Sequence, residues 1–265
     1  MNEDQQTGPS ASGQRHNAVL TFRDVVAAGL AILRCRFDGD QLPFVPGQYV
    51  TLGLAAAGKL VQRAYSIASS ARQLESGYEL YIRLVPDGAL TPRLFALRPG
   101  DRVAMRRPKG RFTLQPDDGR THLFVASGCG IAPFMAMLRT LHDDGARRRV
   151  VVVHGVSYER ELGYRAILED WERTGSDPLT YVPTLSRPAA PENSAWRGRT
   201  GRAETIVGPV CEELGLRPED TVAYICGHPD MIEAAEIALH RRGFAPPQIR
   251  TERYWPKTRP HASDG

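Results

Sequence analysis

Between Pro116 and Arg120 the chain reads Pro-Asp-Asp-Gly-Arg, and the character of the sequence changes across that stretch. Before it, from Asn17 to about Leu114, short alternating runs such as Leu33 to Phe37 and Tyr78 to Val85 are separated by Gly, Pro and Asp turns, the pattern of antiparallel strands. After it, apolar runs at Thr121 to Ala126, Arg149 to His154, Leu179 to Leu185 and Thr221 to Cys226 alternate with helical periodicity. Those helices are expected at Pro133 to His142, Arg160 to Arg173, Ala203 to Leu214 and Pro229 to Arg242, with a last strand from Gln248 to Trp255. Such alternation builds a parallel sheet, which takes its ligand at the carboxyl ends of the strands. Two domains are therefore expected: an antiparallel β-barrel or sandwich over residues 17–116, and an α/β domain over 121–255. A polar, Gly/Ser-rich tail over 1–16, expected to be disordered, precedes them, and a second tail spans 256–265.

With 265 residues, 42% of them hydrophobic, the chain can bury two modest cores. It has no apolar run of about eighteen residues for a membrane span and no apolar leader, so stable membrane association is not expected. A net charge of +4 is too small to mark a nucleic-acid binder, although it suits an acidic protein partner. Cys35, Cys129, Cys211 and Cys226 form no C-x-x-C pair, which argues against an iron–sulfur cluster or a structural zinc; no metal site is expected, and a reducing cytoplasm fits.

The first chemical signal is Arg63-Ala64-Tyr65-Ser66. An Arg that can grip a phosphate, a ring that can lie against a flat heterocycle and a hydroxyl that can bond a ring nitrogen make a compact seat for a flavin nucleotide. An ordinary strand with an exposed Arg and a packed Tyr reads from the same four residues. A Pro-Asp-Gly turn at 86–88 leads to Thr91-Pro92, where the Thr hydroxyl either caps a short helix or joins a diphosphate seat.

Ser127-Gly128-Cys129-Gly130-Ile131-Ala132-Pro133-Phe134 follows a strand and opens a helix, so its glycines allow close backbone approach to an anion. A thiol placed there is expected to favour its thiolate. The Asp or Glu that would hold an NAD ribose is missing after the next strand, at His154-Gly155-Val156-Ser157. Beyond the third strand, Ser186, Arg187, Arg197, Arg199 and Arg202 offer either a seat for a monoester phosphate or a solvated basic loop. Cys226-Gly227-His228-Pro229-Asp230-Met231 is another strand-turn-helix junction. In the first domain Arg98, Arg102, Arg106, Arg107, Lys109 and Arg111 crowd one stretch with Asp101 as the local opposing charge, either a docking surface or a solvated turn.

In this order, R-A-Y-S, V-P-D-G-A-L-T, S-G-C-G-I-A-P-F, V-H-G-V-x-x-x-x-E-L-G-Y, L-S-R, T-G-R, C-G-H-P-D-M and E-R-Y-W resemble the ferredoxin–NADP reductase family, bacterial branch, over residues 17 to 255. The resemblance implies a two-domain fold, an antiparallel β-barrel that binds FAD followed by a Rossmann-like α/β domain with a parallel sheet that binds NADP(H). It implies FAD contacts at Arg63, Ala64, Tyr65, Ser66, Tyr81, Ile82, Arg83, Ala89, Leu90, Thr91, Cys129, Tyr254 and Trp255. It implies nucleotide contacts at Gly128, Cys129, Gly130, His154, Gly155, Ser157, Ser186, Arg187, Arg202, Cys226, Gly227, Asp230 and Met231. Ser66, Cys226, Glu252 and Tyr254 stand at the positions that serve hydride transfer.

The chain departs from the family pattern in three places: Cys129 stands where Thr is common, Ser157 where bacterial members often carry an Arg, and residues 256–265 extend past Tyr254-Trp255. The implied activity is a cytoplasmic, monomeric enzyme exchanging hydride with NADP(H) and single electrons with ferredoxin or flavodoxin. An NAD(P)H:flavin or ferric reductase on the same scaffold is the alternative enzyme. A non-catalytic flavin-binding redox sensor switched through Cys129 is the alternative of another class.

Overall fold

The computed structural model describes residues 16–253 except 57, 116–118 and 176–177. The expectations for Tyr254, Trp255, both tails and residues 116–118 of the boundary lie outside the described residues. Among the described residues no helix is long and apolar enough to cross a membrane.

Strands β1 (Ala18–Ala27), β2 (Leu30–Phe37), β3 (Tyr49–Ala56), β4 (Lys59–Ser66), β5 (Tyr78–Arg83) and β6 (Arg102–Lys109) form one antiparallel sheet in the order β4-β3-β6-β1-β2-β5. Alternate residues point inward: Leu33 and Cys35 of β2, Leu80 and Ile82 of β5, Val50 and Leu52 of β3, and Val103 and Met105 of β6 fill the first core. The two edge strands curl round to meet at an isolated bridge between Ile67 and Leu80 and at the bond from Ala68 N–H to Glu79 O (2.8 Å). The sheet is thus a barrel whose seam closes at one end. A short helix, α1 (Thr91–Ala96), follows β5.

The second sheet has β7 (Thr121–Ser127), β8 (Val150–Val156), β9 (Leu179–Leu185), β10 (Arg199–Thr200), β11 (Thr221–Gly227) and β12 (Ile249–Arg253), all parallel, in the order β10-β9-β8-β7-β11-β12. Helices α2 (Ala132–Asp143), α3 (Arg165–Thr174), α4 (Ala203–Glu213) and α5 (Pro229–His240) cover both faces. Strands buried on both faces are apolar without a break, and every residue of Val150–Val156 is buried. Phe124 and Val152 pack with Phe134 and Trp171 on one side, and Leu123, Val151 and Val153 pack with Val207 and Ile232 on the other. The topological switch lies between β7 and β11, where chain direction across the sheet reverses.

Two elements differ from the sequence reading. The helix expected from Arg160 starts at Arg165, preceded by a single tight turn at Glu159–Glu161. The break lets Gly163 pack on the barrel, where a β-carbon would lie 2.5 Å from the Tyr81 hydroxyl oxygen. The two-residue β10, parallel to Thr184 and Leu185, is too short to leave a pattern.

The domains share a core and a buried charge. Tyr81, Ala68 and Phe112 of the barrel pack in one cluster with Phe134, Met137 and Tyr164. Glu79, 2% exposed, accepts Arg34 at Oε2 (2.9 Å) and both Arg139 (2.6 Å) and the Tyr164 hydroxyl (3.0 Å) at Oε1. Ser70 donates to Asp143 (2.5 Å), and Arg72 pairs with Asp144.

Candidate active site

Away from the Ile67–Leu80 bridge, β4 and β5 are not paired with each other, and a cavity of about 340 Å³ opens between them. Arg63, Ala64, Tyr65 and Ser66 form one wall, Tyr81, Ile82 and Arg83 the other, and Val85, Gly88, Ala89, Leu90 and Thr91 the rim. Cys129 of the second domain completes the lining. Every flavin-site residue expected from the sequence and described here therefore faces one cavity, which also includes Val85 and Gly88. Those two stand in the V-P-D-G-A-L-T motif but were not among the expected contacts, since one is apolar and the other lacks a side chain.

The polar groups suit a flavin nucleotide. The Arg63 guanidinium has only the Gln62 carbonyl oxygen (2.8 Å) as a hydrogen-bond partner among the described residues, which leaves its remaining donors for a phosphate. The Tyr65 hydroxyl is buried with no partner among the described residues, an arrangement that calls for a polar group from a ligand. Burial raises the Tyr65 hydroxyl's pKa above the ordinary value, so it stays protonated and can donate. Thr91 does not cap α1; its hydroxyl donates to Val85 O (3.1 Å) and accepts Val85 N–H (2.9 Å), pinning the 86–90 turn over the cavity. Leu90 occupies the cap position.

At the carboxyl ends of the parallel strands lies a second cavity, of about 250 Å³. Gly128, Gly155, Ser157, Ser186, Arg187, Arg202 and Met231 line it, all expected from the sequence, together with Ser127, Val156, Glu204 and His228, which were not. Adjacent residues of one turn thus serve both cavities, with Gly128 in the second and Cys129 in the first.

Other expected residues sit behind these walls. His154 is fully buried, its Nε2 3.0 Å from Gly128 O and its Nδ1 3.3 Å from the Tyr181 hydroxyl; burial pushes its pKa down to about 4, so it braces the Gly128 turn as a neutral ring. Gly130 and Gly227 act through absent side chains: a β-carbon at 130 would lie 2.0 Å from Cys226 O, and one at 227 would lie 2.3 Å from Ser127 Oγ. Cys226 is fully buried in β11, in register with Glu252 of β12. Asp230 is exposed beside His228, whose Nδ1 accepts the Asp230 amide. Arg197 and Arg199 leave the phosphate seat, Arg197 donating to Ser194 and Trp196 carbonyls and Arg199 pairing with Glu213.

Two charge expectations are corrected. Cys129 does not favour its thiolate: burial pushes its pKa up to about 12, and the nearby Arg83 only partly offsets this. In the basic stretch, whose cations are all exposed, Arg102 is ion-paired with Asp38, which the linear sequence did not show as its counter-ion, leaving Arg98, Arg106, Arg107, Lys109 and Arg111 as the rest of the exposed charge.

Glu252 carries the most displaced carboxyl near the junction. Burial raises its pKa to about 7, and its Oε2 has no partner among the described residues. Because the folded value lies above the ordinary 4.5, the protonated form is favoured by folding, and that stability is intact below pH 4.5 and lost as pH rises to about 7. Glu252→Gln should therefore unfold at higher urea than wild type above pH 7, by on the order of 2 kcal/mol once partial hydration is allowed for. The two proteins should converge below pH 4.5; a constant difference across that range would show that Glu252 does not titrate there.

Two family models match this architecture: an oxidoreductase FAD-binding domain over residues 17–114 and an oxidoreductase NAD-binding domain over residues 124–236. Ferredoxin–NADP reductase B of Sorangium cellulosum is 35% identical over 83% of this chain and 88% of its own. The ferredoxin–NADP reductase of Pseudomonas aeruginosa is 34% identical over 77% and 81%. A crystal structure of a Neisseria gonorrhoeae ferredoxin NADP+ reductase with bound FAD and NADP superposes with a TM-score of 0.77 at 24% identity, covering 90% of this chain and 98% of that one, a likeness of fold. With two matching domain models in the order the barrel and parallel sheet require, and relatives above 30% identity over most of both chains, this chain belongs to the ferredoxin–NADP reductase family.

Proposed function

We propose that the protein is an FAD-dependent oxidoreductase that takes hydride from, or returns it to, NADP(H) and exchanges single electrons with a small redox protein, a ferredoxin or flavodoxin. The observation that carries this reading is the shared turn: Gly128 lines the cavity at the strand ends and Cys129 the cavity in the barrel seam. A nucleotide in one cavity and a flavin in the other are thereby brought against a single turn.

A flavin supplies the interchange between two-electron hydride chemistry and one-electron transfer that amino-acid side chains lack. The protein's own part is positional. Arg63 and Arg83 supply cationic donors for the FAD diphosphate, the Tyr65 hydroxyl and Ser66 supply donors toward the ring system, and the apolar faces of Ile82 and Leu90 exclude water. Ser186, Arg187 and Arg202 supply donors for the 2′-phosphate, and the two guanidiniums carry the positive charge that a hydroxyl at Ser157 does not add. Glu252, protonated up to about pH 7, can hold or release a proton beside the Cys226 position without placing a fixed anion there.

The exposed Arg106, Arg107, Lys109 and Arg111 suit an acidic carrier. Purified protein should be yellow and should reduce ferredoxin or flavodoxin with NADPH faster than it reduces free flavin; the reverse order would favour the flavin-reductase reading. Arg63→Ala should lower FAD occupancy, removing a charge-assisted phosphate contact worth roughly 1.5 to 3 kcal/mol. Flavin fluorescence after ultrafiltration reads the loss, and an unchanged FAD content would remove Arg63 from the site.

A further inference from the structure

The segment from Ser157 to Tyr164 joins β8 to α3 and runs from the strand-end cavity to the back of the wall of the barrel cavity. Its first residue lines the nucleotide cavity, and Gly163 donates its N–H to the Tyr81 hydroxyl (3.1 Å) on the flavin side. Glu161 stands between them and is 7% exposed. Its Oε1 accepts Arg83 Nη1 at 2.9 Å, while its Oε2 accepts the backbone N–H groups of Ser157 (3.0 Å) and Tyr158 (3.2 Å). The Tyr158 hydroxyl in turn accepts Arg187 Nη1 at 2.9 Å, and that guanidinium also lies over the Tyr158 ring, 5.5 Å from its centroid. An unbroken set of contacts therefore runs from Arg83 through Glu161 and the Ser157–Tyr158 backbone to Arg187.

Burying a carboxylate is costly unless hydrogen bonds and a counter-charge compensate it. Burial alone would raise the Glu161 pKa, yet Arg83 and the two amides hold it below the ordinary carboxylate range, so the group is anionic. Two successive amides at the end of a strand are a natural seat for an anion. Here the protein's own carboxylate occupies that seat, which fixes the loop before any nucleotide arrives and leaves phosphate recognition to side chains.

We infer that Glu161 is a positioning residue for nucleotide selection: it holds the Ser157–Tyr158 backbone so that Tyr158 aims Arg187 at the 2′-phosphate, the group that distinguishes NADPH from NADH. The inference rests on the NADP reading above. It assigns the selectivity missing at Ser157 to a device built from a carboxylate, a ring and a guanidinium. A merely structural Glu161 would act on all nucleotides alike.

The test uses FAD-loaded protein and two probes without nicotinamide, adenosine 2′,5′-bisphosphate and 5′-AMP, titrated by calorimetry. Wild type should bind the bisphosphate more tightly. Glu161→Gln should weaken the bisphosphate by about tenfold and 5′-AMP by less than about twofold, and should add nothing further in an Arg187→Ala background, the signature of residues acting as one unit. Tyr158→Phe, which removes only the hydroxyl, should give the same selective loss and covers the case in which Glu161→Gln fails to fold. Equal losses for both probes, additive losses with Arg187→Ala, or an unaltered bisphosphate affinity in Tyr158→Phe would overturn the inference. Wild type that fails to distinguish the probes would instead overturn the NADP reading on which it rests.

Discussion

Gly130→Ala should destabilise the protein by on the order of 3 kcal/mol or more and weaken FAD and NADPH together. The added β-carbon would lie 2.0 Å from Cys226 O, 2.6 Å from Cys226 C and 2.9 Å from Gly227 Cα. All three are backbone atoms of β11, a central strand hydrogen-bonded in register to β7 and β12, so no rotamer can relieve the overlap. The tight turn Gly128–Ile131 must lift off the strand, and it carries Gly128 and Cys129 with it. A comparison with Gly39→Ala controls for the loss of a glycine as such, because nothing lies within 4 Å of a β-carbon there. Urea unfolding and nucleotide titration are the measurements. A Gly130→Ala protein as stable as Gly39→Ala would mean that the turn does not pack on β11 as described.

Glu79→Ala should cost about 3 to 5 kcal/mol at neutral pH, the range found when one member of a buried charge set is removed and its partners stay behind. Arg139, whose side chain is 19% exposed, would keep its charge in the domain junction with its carboxylate partner gone. The loss should depend on pH. Burial alone would raise the Glu79 pKa, but Arg139, Arg34 and Tyr164 outweigh it and leave the folded value below the ordinary 4.5. Its contribution is therefore complete above pH 4.5 and disappears as pH falls through the lower folded value. Urea titrations of wild type and variant should converge in acid; a gap that stays constant from neutral to acid pH would show that the carboxylate's charge is not what holds the junction.

The sequence showed most of the scaffold and both cavities because those features are written locally. An apolar run such as Val150 to Val153 can be buried on both faces only in a covered parallel sheet, and Arg63-Ala64-Tyr65-Ser66 carries its chemistry within four residues. The features that stayed hidden depend on partners distant along the chain. Glu79 sits between Tyr78 and Leu80, where strand alternation points it away from the barrel core; only the arrival of α2 and Tyr164 from the second domain buries it. Glu161 looks like a helical surface residue until Gly163 meets Tyr81 and breaks the helix. At Cys129 two local rules conflict, since a position near a helix start favours a thiolate and desolvation opposes it; desolvation outweighs both that position and the nearby Arg83. The residues of the strand-end cavity that were not singled out as contacts, Val156 and His228 among them, offer no charge pattern of their own and line it because of where β8 and β11 end.

The seam between β4 and β5 has a consequence for how the molecule comes apart. Its cavity takes walls from the barrel and one residue, Cys129, from the neighbouring domain, so a ligand filling it touches two bodies and acts as a fastener between them. By mass action such a ligand stabilises the folded barrel that binds it, by about 2.7 kcal/mol at a hundredfold excess over its dissociation constant, and favours the docked arrangement by whatever affinity the Cys129 side adds. Flavin-loaded protein should melt in a single calorimetric transition, whereas stripped protein should melt earlier and in two steps as the barrel and the α/β domain part company. Identical single transitions with and without flavin would mean that the interdomain contacts alone already weld the two halves into one cooperative unit.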